Sequence, residues 1–541
     1  MKARVFCVLG AAFLFLQLGY GFESGDQQQY LLLPYRWIYP HFLPGDWLTW
    51  HTEHYHVTYA WLVSGLHTLA GESAFPYAML AAHVSVLLAL CASLLVLARV
   101  LGYGAWEPVF ALLVFGVARA TGIAGSVLNH GMLLPADLAL PPFLMACASW
   151  AREQAPEQRT RQALVTGAWL GLSGFFHANF AVLGPMVLVP LEAERALRDR
   201  KPLRVLALLA SYALVAAPTL VLIAQAFVAG DSAPDAIAIT LFVRSPHHYD
   251  LRKIDPSDFL WPVLLALTAL PTLAGLPRRA REHGARSRLL LAMSAITLLG
   301  VIGAGLRSLG IARLFAWRMS VPMLVLLLLA AGETLRLAFA QRATRRGPLV
   351  RALLCFVSAL VVCAQPGGER RENRKGEAVA GLSERRLHLL DAKWKIDPPV
   401  PSWYVQARKL LPPDARVLAP PGMIEFRMQA RRAMFVDWKC APMKGDEALE
   451  WKRRMLAAMG TRRFPARGYR LRYEADRLYG ERPLSELADL ARREHQTHLV
   501  TPRSKLRERA PGLKRLLTGR DFVLYAVFPR PERRAGEPGG I

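Results

Sequence analysis

Apolar segments of about twenty residues recur along the first two thirds of this 541-residue sequence and end near residue 365. A helix needs about 20 apolar residues to cross a bilayer. The composition agrees, because 53% of the residues are hydrophobic and the mean hydropathy is +0.22. The pattern predicts an α-helical polytopic membrane protein. It excludes a soluble enzyme, a disordered chain and a small secreted fold held by disulfides.

The positions of Lys and Arg predict how the chain is threaded through the membrane, since loops rich in these residues stay on the cytoplasmic side. Lys2 and Arg4 precede the first apolar segment, and Arg99 ends a later one. Four short loops are also basic: 152–161, 195–204, 278–288 and 336–351. These anchors predict eleven crossings, near residues 5–21, 76–99, 106–121, 131–150, 163–178, 179–192, 204–228, 259–276, 289–306, 314–335 and 349–365.

The same threading predicts an outer face made of the loops 22–75 and 229–258 and of the whole C-terminal part, 366–541. Residues 56–70 are too short and too polar to cross, so we expect a helix there that lies on the outer surface. Residues 1–365 therefore form the predicted transmembrane domain. No internal repeat of the transporter kind is visible, which speaks against a transporter.

The C-terminal part has the pattern of a small α/β domain. Runs of β-branched and aromatic residues predict strands near 416–419, 433–437, 498–501 and 522–528. Helices are predicted near 446–459, with Asp446 as N-cap, and near 484–494. We expect a linker at 366–381, the domain at 382–532 and a disordered tail at 533–541.

The C-terminal part is also basic, with 38 Lys and Arg against 22 Asp and Glu in residues 366–541. This excess predicts contact with anionic lipid head groups or phosphorylated carriers. An Arg-rich proteome would give the same balance. Nucleic-acid binding is not expected, because the basic residues have no recognisable RNA- or DNA-binding frame around them.

The first outer loop holds the most informative polar residues. Glu23 and Asp26 follow the first apolar segment directly, and Asp46 follows Pro44 and Gly45. Carboxylates at a bilayer surface can serve as a general base or hold a divalent cation. The alternative is that they are ordinary loop acids, with a turn at residues 44–46.

Three stretches resemble the GT-C superfamily of polytopic membrane glycosyltransferases. The first is the acid after the first helix (Glu23, Asp26) with the later segment of Pro40, Pro44, Gly45 and Asp46. The second is R-S-P-H-H-Y at 244–249, which is similar to a group of bacterial GT-C-like proteins. The third, Phe426–Arg427, 431–439, Glu450–Trp451 and Arg453–Arg454, looks like the C-terminal domain of that group.

The resemblance implies transfer of a sugar from a polyprenyl-phosphate carrier to an envelope acceptor, at the outer face of a bacterial inner membrane. It implies that Asp26 is the base or the residue that orients the acceptor, with Glu23 and Asp46 in support. The family's commoner tandem acidic pair is absent, because Gln27 follows Asp26. The base assignment and any metal requirement therefore stay open.

The reaction needs cationic groups opposite the acid, because the leaving group is an anionic lipid phosphate. Arg244, His247 and His248, with Tyr249, lie in the other large outer loop. The adjacent histidines could instead bind a metal or stack at the interface. Arg318 is predicted deeper in the membrane, where a guanidinium can grip a lipid phosphate.

Other polar residues in the predicted crossings have two interpretations. His130, Asp137, His177 and Asn179 could line the same cavity as Arg318, or they could serve helix packing through hydrogen bonds. Arg307 and Arg313 suit snorkelling to the interface. The function therefore has an alternative as well: a non-catalytic membrane protein that keeps a GT-C-like scaffold and binds an anionic lipid carrier or envelope polymer.

Overall fold

The computed structural model describes residues 3–23, 25–52, 56–118, 123, 130–155, 157–228, 234–254, 256–274, 280–340, 353, 356–358, 394–395, 401–442 and 444–529. The predicted linker at 366–381 and the tail at 533–541 lie outside these residues, and so does most of the predicted crossing at 349–365. The chain divides into two compact units. The first contains Met1–Phe22, Tyr55–Gly230 and Pro246–Pro398; the second contains Glu23–His54, Asp231–Ser245 and Pro399–Ile541.

Helices dominate the first unit, and ten of the eleven segments predicted to cross fall on them. An apolar segment favours helix because every backbone donor inside the helix finds an acceptor in the same segment. The helices are Ala3–Leu18, Val57–Val100, Trp106–Ala118, Pro135–Ala151, Arg159–Phe176, Ala178–Arg198, Leu203–Val228, Pro246–Tyr249, Pro256–Ala274, Ala280–Gly305, Leu309–Arg313 and Ser320–Ala340, with a 3₁₀ turn at Ala316–Met319. A short parallel pair joins β1 (Tyr20–Gly21) to β2 (Trp394–Lys395).

Four helices in the described residues are long and apolar enough to cross a bilayer: Val57–Val100, Leu203–Gln225, Gly284–Gly305 and Ala316–Phe339. Three shorter apolar helices accompany them: Ala3–Leu18, Trp106–Val117 and Asp258–Leu273. The protein is therefore a multi-pass membrane protein. The number of eleven crossings stays a prediction.

The helix Val57–Val100 is broken at Gly71, whose φ of 72° and ψ of 169° are not helical. Only glycine adopts such a conformation readily, because it has no Cβ. The break separates residues 57–70, where a distinct helix was predicted, from the apolar stretch that ends at Val100. The two crossings predicted at 163–178 and 179–192 are joined without a loop. Phe176 ends one helix, Ala178 begins the next, and His177 alone lies between them.

Ion pairs connect the ends of helices that carry the basic loops. Arg204 pairs with Glu192 at 2.7 Å, and Arg286 pairs with Glu333 at 2.8 Å. Arg159 reaches Asp199 at 2.6 Å. Arg288, near the start of the helix Ala280–Gly305, lies 3.6 Å from Glu194. The start of this helix and the basic loops at 152–161 and 195–204 therefore meet at one end of the first unit. The predicted threading requires this common side.

The second unit contains a five-stranded sheet. Its strands are β3 (Arg416–Leu418), β4 (Ala433–Met434), β5 (His498–Pro502), β6 (Leu513–Thr518) and β7 (Phe522–Val527). Their order in the sheet is β4-β3-β5-β7-β6. The strands β3, β4 and β5 are parallel, whereas β7 runs antiparallel to β5 and to β6. The central strand β5 is buried on both faces, which suits its Leu-Val-Thr run. The helices of this domain are Ser402–Leu410, Phe426–Ala430, Gly445–Met459, Tyr469–Glu481 and Leu484–Arg493.

The four predicted strands are confirmed, and so are the predicted helices near 446–459 and 484–494. The prediction of Asp446 as N-cap is wrong, because Lys444 holds that position and Asp446 lies in the first turn. The strand β6 was missed. Its sequence, L-K-R-L-L-T, places exposed Lys514 and Arg515 on a sheet edge, where charged side chains prevent pairing with another chain.

The first outer loop is divided between the two units, which the sequence did not predict. Residues 23–54 and 231–245 belong to the same compact unit as the C-terminal domain. Within that unit the loop forms the short helices Gln27–Tyr30, Leu32–Ile38 and Trp47–His51, and residues 234–244 form Pro234–Ala238 and the π-helix Ile239–Arg244. Glu23, Asp26, Asp46 and Arg244 therefore belong to the same unit as the C-terminal domain, whereas His247, His248 and Tyr249 belong to the first unit.

Candidate functional site

Asp46 lies at the centre of a buried polar network in the second unit, with 0% of its side chain exposed. One oxygen, Oδ1, caps the helix Trp47–His51 by accepting hydrogen bonds from Thr49 N (2.9 Å) and Thr49 Oγ1 (3.0 Å). The other, Oδ2, accepts from Arg427 Nε at 2.8 Å and from Met434 N at 2.9 Å. Both oxygens are thus occupied by protein donors. This geometry suits a structural support better than proton transfer.

Arg427 completes that network. Its guanidinium also donates to Asp437 Oδ2 and, at 3.0 Å, to the carbonyl of Met434. Asp437 Oδ1 accepts from Cys440 N at 2.7 Å, and the Asp437 carbonyl accepts from Trp451 Nε1 at 2.9 Å. Buried charges are stable only when paired and hydrogen-bonded in this way. The network therefore fixes the loop that begins at Asp437.

Glu23 forms a second cluster with Tyr35 and Arg431. Its Oε1 accepts from the Tyr35 hydroxyl and, at 2.5 Å, from Arg431 Nη2. The Arg431 guanidinium lies 4.9 Å from the centre of the Tyr35 ring and 5.8 Å from that of Phe42. Glu23 and Arg431 both adopt left-handed backbone conformations, with φ of 51° and 53°. Such strain in non-glycine residues persists where the surrounding contacts hold it, and it is common at functional sites.

The electrostatics of this cluster follow from its burial. Burial raises the pKa of the Tyr35 phenol well above its usual value, and the neighbouring Glu23 carboxylate raises it further. Tyr35 is therefore a hydrogen-bond donor at physiological pH. Burial lowers the pKa of Arg431, but the neighbouring Glu23 carboxylate outweighs that effect and raises it. Arg431 stays cationic.

Asp26 differs from the other two acids because 54% of its side chain is exposed. It begins the helix Gln27–Tyr30 without capping it through the side chain. Its Oδ1 lies 3.1 Å from Nζ of Lys439. Of the three predicted acids, Asp26 is the most accessible to a substrate.

Arg244 contacts the backbone of the same lysine, Lys439. Its Nη2 and Nε donate to the Lys439 carbonyl at 2.6 and 3.2 Å. Its guanidinium also lies 4.2 Å from the centre of the Trp438 ring. The predicted acidic loop and the predicted basic loop, more than 200 residues apart, therefore meet at Trp438–Lys439.

The remaining predicted cationic residues lie in the first unit, around Phe315. The rings of His248 and Tyr249 each lie 5.3 Å from the Phe315 ring, and the Arg318 guanidinium lies 4.9 Å from it. His247 stacks on His248 with ring centres 4.0 Å apart. The His248 carbonyl accepts from Trp317 Nε1 at 2.8 Å, which joins the segment to the residue before Arg318. Three of the predicted substrate-binding residues thus converge on one ring.

Two other predicted polar residues lie next to this group. Asn179 Nδ2 donates to the carbonyl of Leu314 at 3.0 Å, directly before Phe315. His177 caps the helix Ala178–Arg198, which contains Asn179, and its ring lies 5.1 Å from that of His56. His130 instead binds Asp137 at 2.8 Å, which supports the packing interpretation for that pair.

No group of three or more His, Cys, Asp and Glu side chains that could hold a metal occurs in the part of the chain that the structure describes. His247 and His248 stand together without a third such ligand among those residues.

Sequence reasoning missed Tyr35, Arg427, Arg431 and Lys439 as parts of the site. The signal was present, since three of them fall in the C-terminal stretch that carried the resemblance. The hydrogen-bond partners of these residues could not be identified from the sequence, because Glu23 and Arg431, for example, are 408 positions apart. Only folding brings such residues together.

Comparison with known proteins identifies the fold. Residues 400–458 match a family described as a domain of unknown function, DUF6798. No curated protein matches the sequence significantly. Among solved structures, apo ArnT from Cupriavidus metallidurans aligns with a TM-score of 0.51 and 15% identity over 96% of this chain and 97% of ArnT.

This chain has the fold of a GT-C glycosyltransferase. ArnT bound to undecaprenyl phosphate also aligns, with a TM-score of 0.49 and 13% identity over 99% of both chains. The oligosaccharyltransferase of Archaeoglobus fulgidus aligns with a TM-score of 0.46 and 13% identity, over 92% of this chain and 69% of that one. The predicted GT-C resemblance is confirmed for the fold. The finer likeness of the R-S-P-H-H-Y segment stays a prediction.

Proposed function

We propose that this GT-C-fold protein is a glycosyltransferase that takes a sugar from a polyprenyl-phosphate carrier and passes it to an envelope acceptor. The observation that carries the proposal is the meeting of Asp26 and Arg244 at Lys439, with distances of 3.1 and 2.6 Å. An accessible carboxylate beside a cationic loop is the arrangement that the reaction needs. ArnT, which shares the fold, binds undecaprenyl phosphate, and we propose the same class of carrier here.

In this proposal Asp26 accepts the proton of the acceptor hydroxyl while that oxygen forms a bond to the anomeric carbon of the sugar. The bond between that carbon and the carrier phosphate breaks, and the phosphate leaves with the electron pair. Asp26 is the candidate because it is half exposed, whereas Asp46 is buried with both oxygens occupied. Glu23 supports the loop through Tyr35 and Arg431.

The phosphate side of the proposal uses cationic and polar residues of the first unit. Arg318 and the His247–His248–Tyr249 segment converge on Phe315 and supply charge-assisted donors for a phosphate. Within the second unit, Arg244 supplies a guanidinium beside Lys439. We also propose the eleven-crossing threading, a bacterial inner-membrane location and an extracytoplasmic C-terminal domain.

Asp26→Asn in the full chain tests the base. The variant is placed in nanodiscs with a panel of undecaprenyl-phosphate pentoses and hexoses, and released undecaprenyl phosphate is measured by mass spectrometry. We expect a loss of at least 100-fold, within the range for removal of a general base. Glu72→Gln is the matched control, since it makes the same chemical change at an exposed carboxylate of the first unit. Full activity of Asp26→Asn would remove the base assignment.

The pairing of Asp26 with Lys439 favours a second candidate, a non-catalytic protein that binds the carrier. A base that is already held by an ammonium group must release it before accepting a proton. Under this alternative the wild-type chain binds undecaprenyl phosphate but turns over none of the lipid-linked sugars in the panel.

A further inference from the structure

A cavity of about 470 Å³ opens at one end of the helices of the first unit. Its polar lining includes three arginines from three different helix ends. Arg99 is in the last turn of Val57–Val100, Arg152 follows Pro135–Ala151, and Arg195 is in the last turn of Ala178–Arg198. The volume falls within the range of small-molecule sites, about 300–1,000 Å³.

The acids near this end are already paired with other arginines. Glu192 binds Arg204 at 2.7 Å, and Asp199 binds Arg159 at 2.6 Å. Glu194 binds Arg198 and lies 3.6 Å from Arg288. Among the described residues, neither Arg99 nor Arg152 has a carboxylate within ion-pair distance. The one acid in the lining, Glu153, leaves the cavity with a net positive charge.

Arg195 is held rigidly, whereas the other two arginines are available. Its Nη1 donates to the Trp150 carbonyl at 2.5 Å, and its guanidinium lies 3.7 Å from the centre of the Trp150 ring. Arg99 and Arg152 are exposed. The guanidinium groups of Arg99 and Arg152, beside the fixed guanidinium of Arg195, can donate hydrogen bonds to the oxygens of a phosphate.

The rest of the lining is apolar: Val96, Val100, Ala151 and Ala285. A free phosphate gains nothing from such walls, but a phospholipid packs its glycerol and first acyl carbons against them. Anionic lipids are also the ligands of basic pockets between transmembrane helices on the cytoplasmic side. The basic loops assign this end to that side by the positive-inside rule.

We propose that this cavity binds the head group of an anionic phospholipid, with its phosphate between Arg99 and Arg152. The site is separate from the proposed carrier site. Ala285 is near the start of the helix Ala280–Gly305, whereas Trp317, next to Arg318, packs against Gly300 of the same helix. The 15 residues from Ala285 to Gly300 span about 22 Å at 1.5 Å per residue.

Native mass spectrometry of the full chain in detergent tests the proposal by titration with phosphatidylglycerol and phosphatidylcholine of identical acyl chains. We expect phosphatidylglycerol to bind at least tenfold more tightly. Arg99→Gln/Arg152→Gln should abolish that preference. The matched control is Arg4→Gln/Arg161→Gln, which removes two exposed arginines of the same predicted side outside the cavity and should keep the preference.

Three results would overturn the proposal: equal affinity of the wild-type chain for the two lipids, a preference that survives in the cavity variant, or complete displacement of phosphatidylglycerol by glycerol 1-phosphate. The last result would mark a free-phosphate site. The wild-type comparison needs no variant to fold. The readout does not depend on sugar transfer, so Asp26→Asn should keep the lipid preference whether or not the proposed function is correct.

Discussion

Replacing Asp46 by alanine tests the ion pair that holds the first outer loop within the second unit. The carboxylate accepts four hydrogen bonds, two from Thr49 and one each from Arg427 and Met434. Removing one partner of a buried pair costs about 3–5 kcal/mol. Arg427 keeps Asp437 and the Met434 carbonyl, so we take the lower end. The expected local destabilisation is about 3 kcal/mol.

Amide hydrogen exchange of the full chain in detergent measures this loss. Since 1.4 kcal/mol is a factor of ten, the amides of Thr49 and Met434 should exchange roughly 100-fold faster in the variant. Asp26→Ala is the matched control in the same loop. Its ion pair is half exposed, and such pairs contribute about 0–1 kcal/mol, so exchange at these amides should change little.

A double-mutant cycle with Arg427→Met decides whether the pair itself is responsible. If the two charges stabilise each other, the double variant is less destabilised than the sum of the single variants by at least about 1 kcal/mol. Additive effects, or an Asp46→Ala effect no larger than that of Asp26→Ala, would refute the reasoning.

Three further predictions concern other parts of the chain. Burial raises the pKa of Asp476 to about 6, although the hydrogen bond that Gly422 N donates to its carboxylate opposes this shift. The folded protein therefore binds this proton more tightly than the unfolded chain does. As a result, the free energy of unfolding should fall as pH rises from about 4 to about 6. Asp476→Asn should therefore raise the melting temperature at pH 7.5 and give no gain at pH 4, and a gain equal at both values would contradict the assignment. Arg318→Gln should weaken undecaprenyl phosphate binding about tenfold, because it removes a charge-assisted hydrogen bond. Arg307→Gln is the control: it removes a partly exposed ion pair with Asp250 and should not change the affinity. If a fluorescence titration gives the two variants the same affinity for undecaprenyl phosphate, Arg318 is not a phosphate ligand. A C-terminal tag should be reached by a membrane-impermeant label on intact cells, and protection of the tag until the cells are lysed would reverse the proposed threading.

Much of the candidate site could be predicted from the residues alone, but their grouping could not. The outer-loop acids were found because carboxylates next to an apolar segment are unusual. Arg244 and Asp26 were predicted to face one another, and they meet through Lys439, whose carbonyl and ammonium serve different partners. Asp46 looks like Asp26 in the sequence, yet burial gives it another role. Burial depends on packing from distant segments, so the local sequence does not contain it.

The sequence by itself determined the helices of the first unit and four of the five strands of the C-terminal sheet, because apolar length and β-branched runs act over a few neighbouring residues. The tertiary structure decided that residues 23–54 and 231–245 belong to the same compact unit as the C-terminal domain. It also decided that Glu23 pairs with Arg431, and Asp46 with Arg427. These contacts join residues 408 and 381 positions apart, and the charge of each partner is satisfied only in the folded chain.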